Sequence, residues 1–297
     1  MKKDAFSTFH PFVGLIYFCI VIGCSMFVMH PVFLCCSIFG GGGYYLYLQR
    51  RKGIHFILTF LIPMFLIAAI VNPMFTHQGV TILWYFKNGN PLTLESILFG
   101  FGAGAMLVSV LLWFSCYQFV MTSDKFIYLF GKTIPALSLV LTMVLRFVPR
   151  FKTQIEKISD AQKCIGKDVS NGNLFQRAGH GMRILSVMTT WALENSVESA
   201  DSMKARGYGL RGRTTFSIFR FDTRDKVITA LMTGSATVIF FGILTEKVSF
   251  LYYPLISMNS FNLVAIAVYL CYGGLCILPL MINLYEDIKW HYLKSKI

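Results

Sequence analysis

The chain has 297 residues, of which 55% are apolar, 15% aromatic and only 14% charged, with 27 Lys and Arg against 14 Asp and Glu. A soluble domain carries nearer a quarter charged residues, so this composition excludes a soluble globular fold and describes an integral membrane protein. The apolar runs are continuous rather than alternating, which excludes a barrel and predicts helices, each needing ~20 residues to cross the hydrocarbon core.

The first two spans are expected at Pro11 to Val28 and Val32 to Leu48, hinged at Met29-His30-Pro31, and the second ends in the basic cluster Arg50-Arg51-Lys52. The basic start at Lys2 and Lys3 is followed by an apolar run as long as a span and by no Ala-x-Ala site, so it reads as a first helix rather than a leader. A third span runs from Ile54 to Phe75 with Pro63 inside it. His77 to Glu95 is polar and rich in turn residues at Lys87 to Pro91, with an apolar piece, Val80 to Phe86, too short to span and expected at the outer surface. The fourth span is Ser96 to Met121, where Gly100 and Gly104 make a Gly-x-x-x-Gly face suited to close helix packing. Two more spans, Val227 to Leu244 and Leu263 to Leu284, complete the chain.

Between them the character changes. Residues 122 to 226 hold 17 of the 27 Lys and Arg and 9 of the 14 Asp and Glu. The expected fold is therefore an all-α membrane protein of about six transmembrane helices. Residues 1 to 121 and 227 to 297 form its membrane part, and 122 to 226 an inserted cytoplasmic domain of long amphipathic helices. With both termini inside, 25 of the 27 basic residues fall on the cytoplasmic side and only Lys87 and Lys247 outside, as the positive-inside rule requires. The location expected is the plasma membrane.

In the insert, Phe147, Phe151, Ile155, Ile158 and Ile165 recur at helical spacing and make one apolar stripe, with Lys152, Glu156, Lys157, Asp160 and Lys163 off it. Gly166 to Arg177 reads as a polar turn. A second helix, about Gly181 to Arg206, carries Leu185, Met188, Trp191 and Ala192 on one side and Glu194, Glu198 and Asp201 on another, and a basic loop, Arg211 to Arg224, follows. Both helices end alike. Asp160-Ala161-Gln162-Lys163-Cys164-Ile165-Gly166 and Asp201-Ser202-Met203-Lys204-Ala205-Arg206-Gly207 stand 41 residues apart with Asp, Lys and Gly in common. Gly just past a helix takes the left-handed conformation without a Cβ clash, and a Lys or Arg in the last turn suits the helix dipole, so each heptapeptide reads as a helix tip.

Chemistry of other kinds is missing. Gly131-Lys132-Thr133 lacks the earlier Gly of a phosphate loop, the six histidines form no His-x-x-x-His pair, and the eight cysteines sit mostly in apolar runs with no Cys-x-x-Cys. No cofactor, metal site or catalytic set is expected.

Arg146-Phe147-Val148-Pro149, Ala161-Gln162-Lys163 with its helix tip, and Ser199 to Gly209 ending in Ala205-Arg206-Gly207-Tyr208 resemble the transmembrane T component of energy-coupling factor transporters, the cobalt and vitamin transporter T-protein family. The layout of most of the chain is similar, but the specific motifs lie within residues 146 to 209. The resemblance implies a non-catalytic scaffold subunit of an ATP-driven importer for a vitamin or a transition metal. It implies that two coupling-helix tips dock on two ABC-type ATPases, here Ala205, Arg206 and Gly207 at one and Cys164, Ile165 and Gly166 at the other. The apolar faces, with Phe147, Phe151, Ile155, Leu185, Met188 and Trp191, would hold a small substrate-binding membrane subunit. Ile165 departs from the family, which usually has Arg there. The partners implied are thus proteins and the lipid bilayer, not nucleic acid. Two other readings stay open: a conventional ABC importer permease forming its own pathway, and a membrane-embedded enzyme with the polar insert as its catalytic part.

Overall fold

A computed structural model describes residues 4–85, 90–131, 134–167, 169–170, 172–208, 210, 219–245, 248–258 and 262–296. The expected turn at Lys87 to Gly89, Lys247, Gly209 and most of the basic loop, 211–218, lie outside the described residues. The chain divides into two units, one formed by Met1–Phe126 with Phe219–Ile297 and the other by Ile127–Ile218.

The first unit is built from α1 (Pro11–Phe27), α2 (Pro31–Phe56), α3 (Ile62–Phe75), α4 (Leu94–Val120), the start of α5 (Ser123–Gly131), α8 (Thr223–Leu244) and α9 (Leu263–Lys294). Two short hairpins accompany them, β1 (Ile82–Tyr85) with β2 (Pro91–Thr93) and β3 (Phe250–Leu251) with β4 (Ser257–Met258). The stretches Pro31–Phe75, Leu94–Val120, Thr223–Leu244 and Leu263–Lys294 are long and apolar enough to cross a membrane, and Pro11–Phe27 is a shorter apolar helix. The chain is an all-α membrane protein.

The spans expected at Val32 to Leu48 and Ile54 to Phe75 follow one another with a backbone break between them. The backbone is helical on either side of that break, with a π turn at Ile57–Leu61 in the second limb. The break is at Arg50, whose φ of 45° and ψ of −118° leave the helical region. At 1.5 Å per residue, 45 residues in line would be ~67 Å long, about twice a bilayer core, so the break is what lets both limbs pack on the ~40 Å α4.

Side-chain neighbours give the directions. On α4, Gly100 lies against Ala69 and Asn72 while Gly104 lies against Phe65, so α3 runs antiparallel to it. Ser37, Gly41 and Tyr45 of α2 meet Ser109, Trp113 and Phe119, so α2 runs parallel to it. By the same test α1 is antiparallel to α4, through Gly14 with Met121 and Phe18 with Tyr117, and α9 is parallel to α2, through Phe33 with Tyr272 and Tyr47 with Asp287. The Gly-x-x-x-Gly face read from the sequence is the α3 contact: a Cβ on Gly100 would stand 2.7 Å from the Ala69 carbonyl oxygen.

A buried polar cluster joins four helices. Ser25 Oγ lies 2.8 Å from Ser37 Oγ and 3.0 Å from the Tyr272 hydroxyl, Trp113 Nε1 donates to Ser37 Oγ at 2.7 Å, and Ser37 and Ser109 share a hydrogen bond. Such bonds link helices whose apolar surfaces gain nothing by leaving lipid for one another. At one end of the unit, Phe6 is 1% exposed among the rings of Tyr17, Phe18 and Tyr44. Asp4 there accepts from Tyr44 and from Asn283 Nδ2, and the Lys125 ammonium donates to the carbonyls of Ser7 and Val120. Burial lowers the Lys125 pKa, and Asp4 partly offsets this. His10 N–H donates to Asp225 at the start of α8. The N-terminal segment, the end of α4, the start of α8 and the end of α9 therefore gather at the same end of this unit.

The second unit is the hairpin of α6 (Pro135–Cys164) and α7 (Leu174–Ala205) with the end of α5. Its second helix begins seven residues earlier than the expected Gly181. The reason is a capping box: Asn173 caps the helix while the Gln176 side chain reaches back to the Asn173 N–H, so Gly179 and Gly181 fall inside the helix. Pro149 lies within α6, which runs on through it.

Candidate functional site

The repeated heptapeptides fold into the same structure. At the end of α6 the Gly166 N–H donates to Lys163 O and the Lys167 N–H to Gln162 O, both at 2.9 Å. At the end of α7 the Gly207 N–H donates to Lys204 O and the Tyr208 N–H to Met203 O, both at 3.0 Å. Each is a Schellman cap, with its glycine at positive φ, 77° for Gly166 and 80° for Gly207. The acidic residue three before the Lys pairs with it at both ends, Asp160 with Lys163 at 3.2 Å and Asp201 with Lys204 at 4.0 Å. These pairs are exposed and add little stability. They hold the two lysine side chains over the last turn in the same way. Cys164, Ile165 and Gly166 are exposed at one tip, and Ala205 and Arg206 at the other.

The hairpin fixes where those tips stand. Phe151 meets Trp191 edge to face at 5.6 Å, and Ile158 packs with Ile184 and Met188. Later residues of α6 thus face earlier residues of α7, and the helices are antiparallel. The tips therefore point away from each other, about 40 Å apart along the α7 axis.

The six apolar residues singled out from the sequence separate into two groups. Phe151, Met188 and Trp191 lie between α6 and α7, with Phe147 stacked on Phe151 at 5.9 Å and the Arg150 guanidinium 6.0 Å from the Trp191 ring centroid. Ile155 and Leu185 are turned outward. The apolar arc of α7 is too wide for one neighbour: Ile184, Met188 and Trp191 cover α6, while Leu174, Met182, Leu185 and Leu193 form an adjacent stripe left exposed. Val144, Val148 and Ile155 do the same on α6. Of this second stripe the sequence reading includes only Ile155 and Leu185, because periodicity alone does not separate two faces that both carry it. Among the described residues, no three of His, Cys, Asp or Glu gather as metal ligands.

No family model matches the chain. Known proteins do. It is 39% identical over 92 residues to the energy-coupling factor transporter transmembrane protein EcfT of Lacticaseibacillus paracasei, covering 31% of this chain and 35% of that protein. It is 33% identical over 97 residues to EcfT 1 of Listeria monocytogenes, covering 32% and 36%, and 34% identical over 111 residues to EcfT of Leuconostoc gelidum, covering 37% and 41%. The matched stretches span between about a third and two fifths of the EcfT relatives' own lengths. Over about a third of its length the chain is therefore similar to the energy-coupling factor transporter transmembrane protein EcfT.

Proposed function

We propose that this chain is the transmembrane coupling subunit of an ATP-driven importer of the energy-coupling factor type. Six crossings leave both termini and residues 122 to 226 in the cytoplasm, in line with the alternating helix directions and the excess of Lys and Arg. The tip at Ala205, Arg206 and Gly207 docks on one ABC-type ATPase, and the tip at Cys164, Ile165 and Gly166 on a second. The outward stripes, together with Phe147, Ile155 and Leu185, hold a small membrane protein that binds the cargo, a vitamin or a transition metal ion. Phe151, Met188 and Trp191 set the angle of the coupling helices from within the hairpin.

The observation that carries this reading is the pair of like-capped helix ends, exposed and opposed, on the unit formed by Ile127–Ile218. An Arg at such a tip suits an acidic groove, because its planar fork pairs with a carboxylate through two bonds. A helix with more apolar face than its neighbour covers needs lipid or a partner for the rest.

Affinity purification of the tagged chain from membranes of its own host tests the reading. The expected companions are ABC-type ATPase and a separate small membrane protein, with uptake in proteoliposomes requiring all of them. A folded chain that purifies alone refutes the proposal. Uptake by chain and ATPases without another membrane protein identifies a conventional permease instead.

A further inference from the structure

The two caps differ at the point that projects farthest. Matched on their hydrogen bonds, Gln162 corresponds to Met203, Lys163 to Lys204, Cys164 to Ala205 and Gly166 to Gly207, and Ile165 stands where Arg206 stands. Their backbones agree closely, with φ and ψ of −92° and 5° at Ile165 and −85° and 11° at Arg206. Both side chains therefore leave the helix end in the same direction. Ile165 is 66% exposed and stands apart from the cluster of Ile158, Ile184 and Met188. It does not serve as the last residue of the hairpin's packed stripe, the role its spacing from Ile158 allowed. A β-branched apolar side chain is thus held out to the surroundings between Lys163 and Lys167.

We infer that the α6 tip docks through Ile165 into an apolar pocket without a carboxylate, and the α7 tip through Arg206 into an acidic one, so that the tips are not interchangeable. This rests on the reading that the tips dock on ATPases. A pocket shaped for a guanidinium keeps a carboxylate to receive it, and Ile165 in that pocket would bury the carboxylate with no donor. An apolar pocket would in turn strip water from Arg206 and return nothing. Equal backbones with unlike side chains therefore need unlike pockets. An apolar anchor with a lysine on either side has the layout of an interface centre with a polar rim. The cap presets its position, so little ordering cost remains when it docks.

The test uses the full chain with the ATPases that accompany it, counting bound ATPases per chain by native mass spectrometry and titrating their affinity. Wild type and Ile165→Leu should each hold two. Ile165→Asp and Ile165→Arg should each hold one, with the other weakened about ten- to a hundredfold, the value of burying an aliphatic side chain. Two ATPases held by Ile165→Asp with wild-type affinity would overturn the inference. So would tighter binding by Ile165→Arg, which would mark an acidic pocket, or an Ile165→Asp chain that fails to insert and elute as a single species, which would mark Ile165 as internal packing. A wild-type chain that holds no ATPase refutes the docking reading itself, and does so before any variant is made.

Discussion

Arg206→Glu separates docking from folding. Arg206 is exposed, and its N–H bonds to Ser202 O and Met203 O, both 3.2 Å, do not depend on the side chain. Its φ and ψ suit any L residue. Within the chain the substitution loses one favourable helix-dipole interaction and adds an unfavourable one, about 0.3–1 kcal/mol each, with Lys204 close enough to offset part of it. At a docked interface the same change removes one partner of a desolvated pair, which costs about 3–5 kcal/mol and corresponds to roughly a 100- to 5,000-fold loss of affinity. Interaction at the tip should fall by at least two orders of magnitude while the melting temperature in detergent hardly moves. Arg206→Lys should lie between, because an ammonium keeps the charge without the fork. The assay is titration of purified ATPase onto the chain in nanodiscs, with thermal unfolding of the same preparations. An Arg206→Glu chain that binds ATPase within threefold of wild type refutes the argument, and one that unfolds early shows that the tip belongs to the fold.

Gly40→Val should be destabilising by about 1–3 kcal/mol or prevent folding, because a Cβ there would stand 2.6 Å from Cys276 Cβ and 2.7 Å from Cys276 O, whereas Gly42→Ala, which meets nothing within 4 Å, should be tolerated; melting temperatures in detergent compare them. His30 Nδ1 accepts the Val32 N–H at 3.2 Å, its Nε2 lies 3.1 Å from the Tyr269 hydroxyl, and burial lowers its pKa from 6.5. The unfolded chain therefore binds the proton first, so this contribution is complete above pH 6.5 and is lost as pH falls from there through the lowered native value. His30→Asn, which can still cap without titrating, should flatten that part of the fall in melting temperature, and an unchanged pH profile would remove His30 from the account. Cys164 is exposed at the α6 tip, so an impermeant maleimide should label it in inverted vesicles but not in intact cells, and bound ATPase should protect it. Labelling from outside intact cells, lost in Cys164→Ser, would reverse the topology.

Composition and long apolar runs made the membrane class legible, because lipid allows few alternatives to the helix. The tips were legible too, since Gly at positive φ after a Lys-bearing turn is a local device with a local signature. What periodicity could not separate were two apolar faces of one helix, one turned to α6 and one outward, since both satisfy a spacing of three or four. The early start of α7 had a signature in Asn173 and Gln176, hidden by Gly179 and Gly181, which look like breakers but are tolerated within a 32-residue helix. The break at Arg50 was legible as the basic cluster Arg50-Arg51-Lys52 that ends the second span, but its backbone geometry was not. A non-glycine residue at positive φ is set by the packing of both limbs on α4, which sequence spacing does not carry.

The antiparallel crossing of α6 and α7 also sets mechanical arms. The packed patch at Ile158, Ile184 and Met188 lies about 10 Å of helix from the Ile165 end and about 27 Å from the Arg206 end. If the hairpin turns as a rigid body about that patch, a displacement of 1 Å at the short arm appears as about 2.5 Å at the long one. Equal strokes delivered to the two ends would rotate the pair unequally, so the short end is the sensitive input and the long end the one that travels.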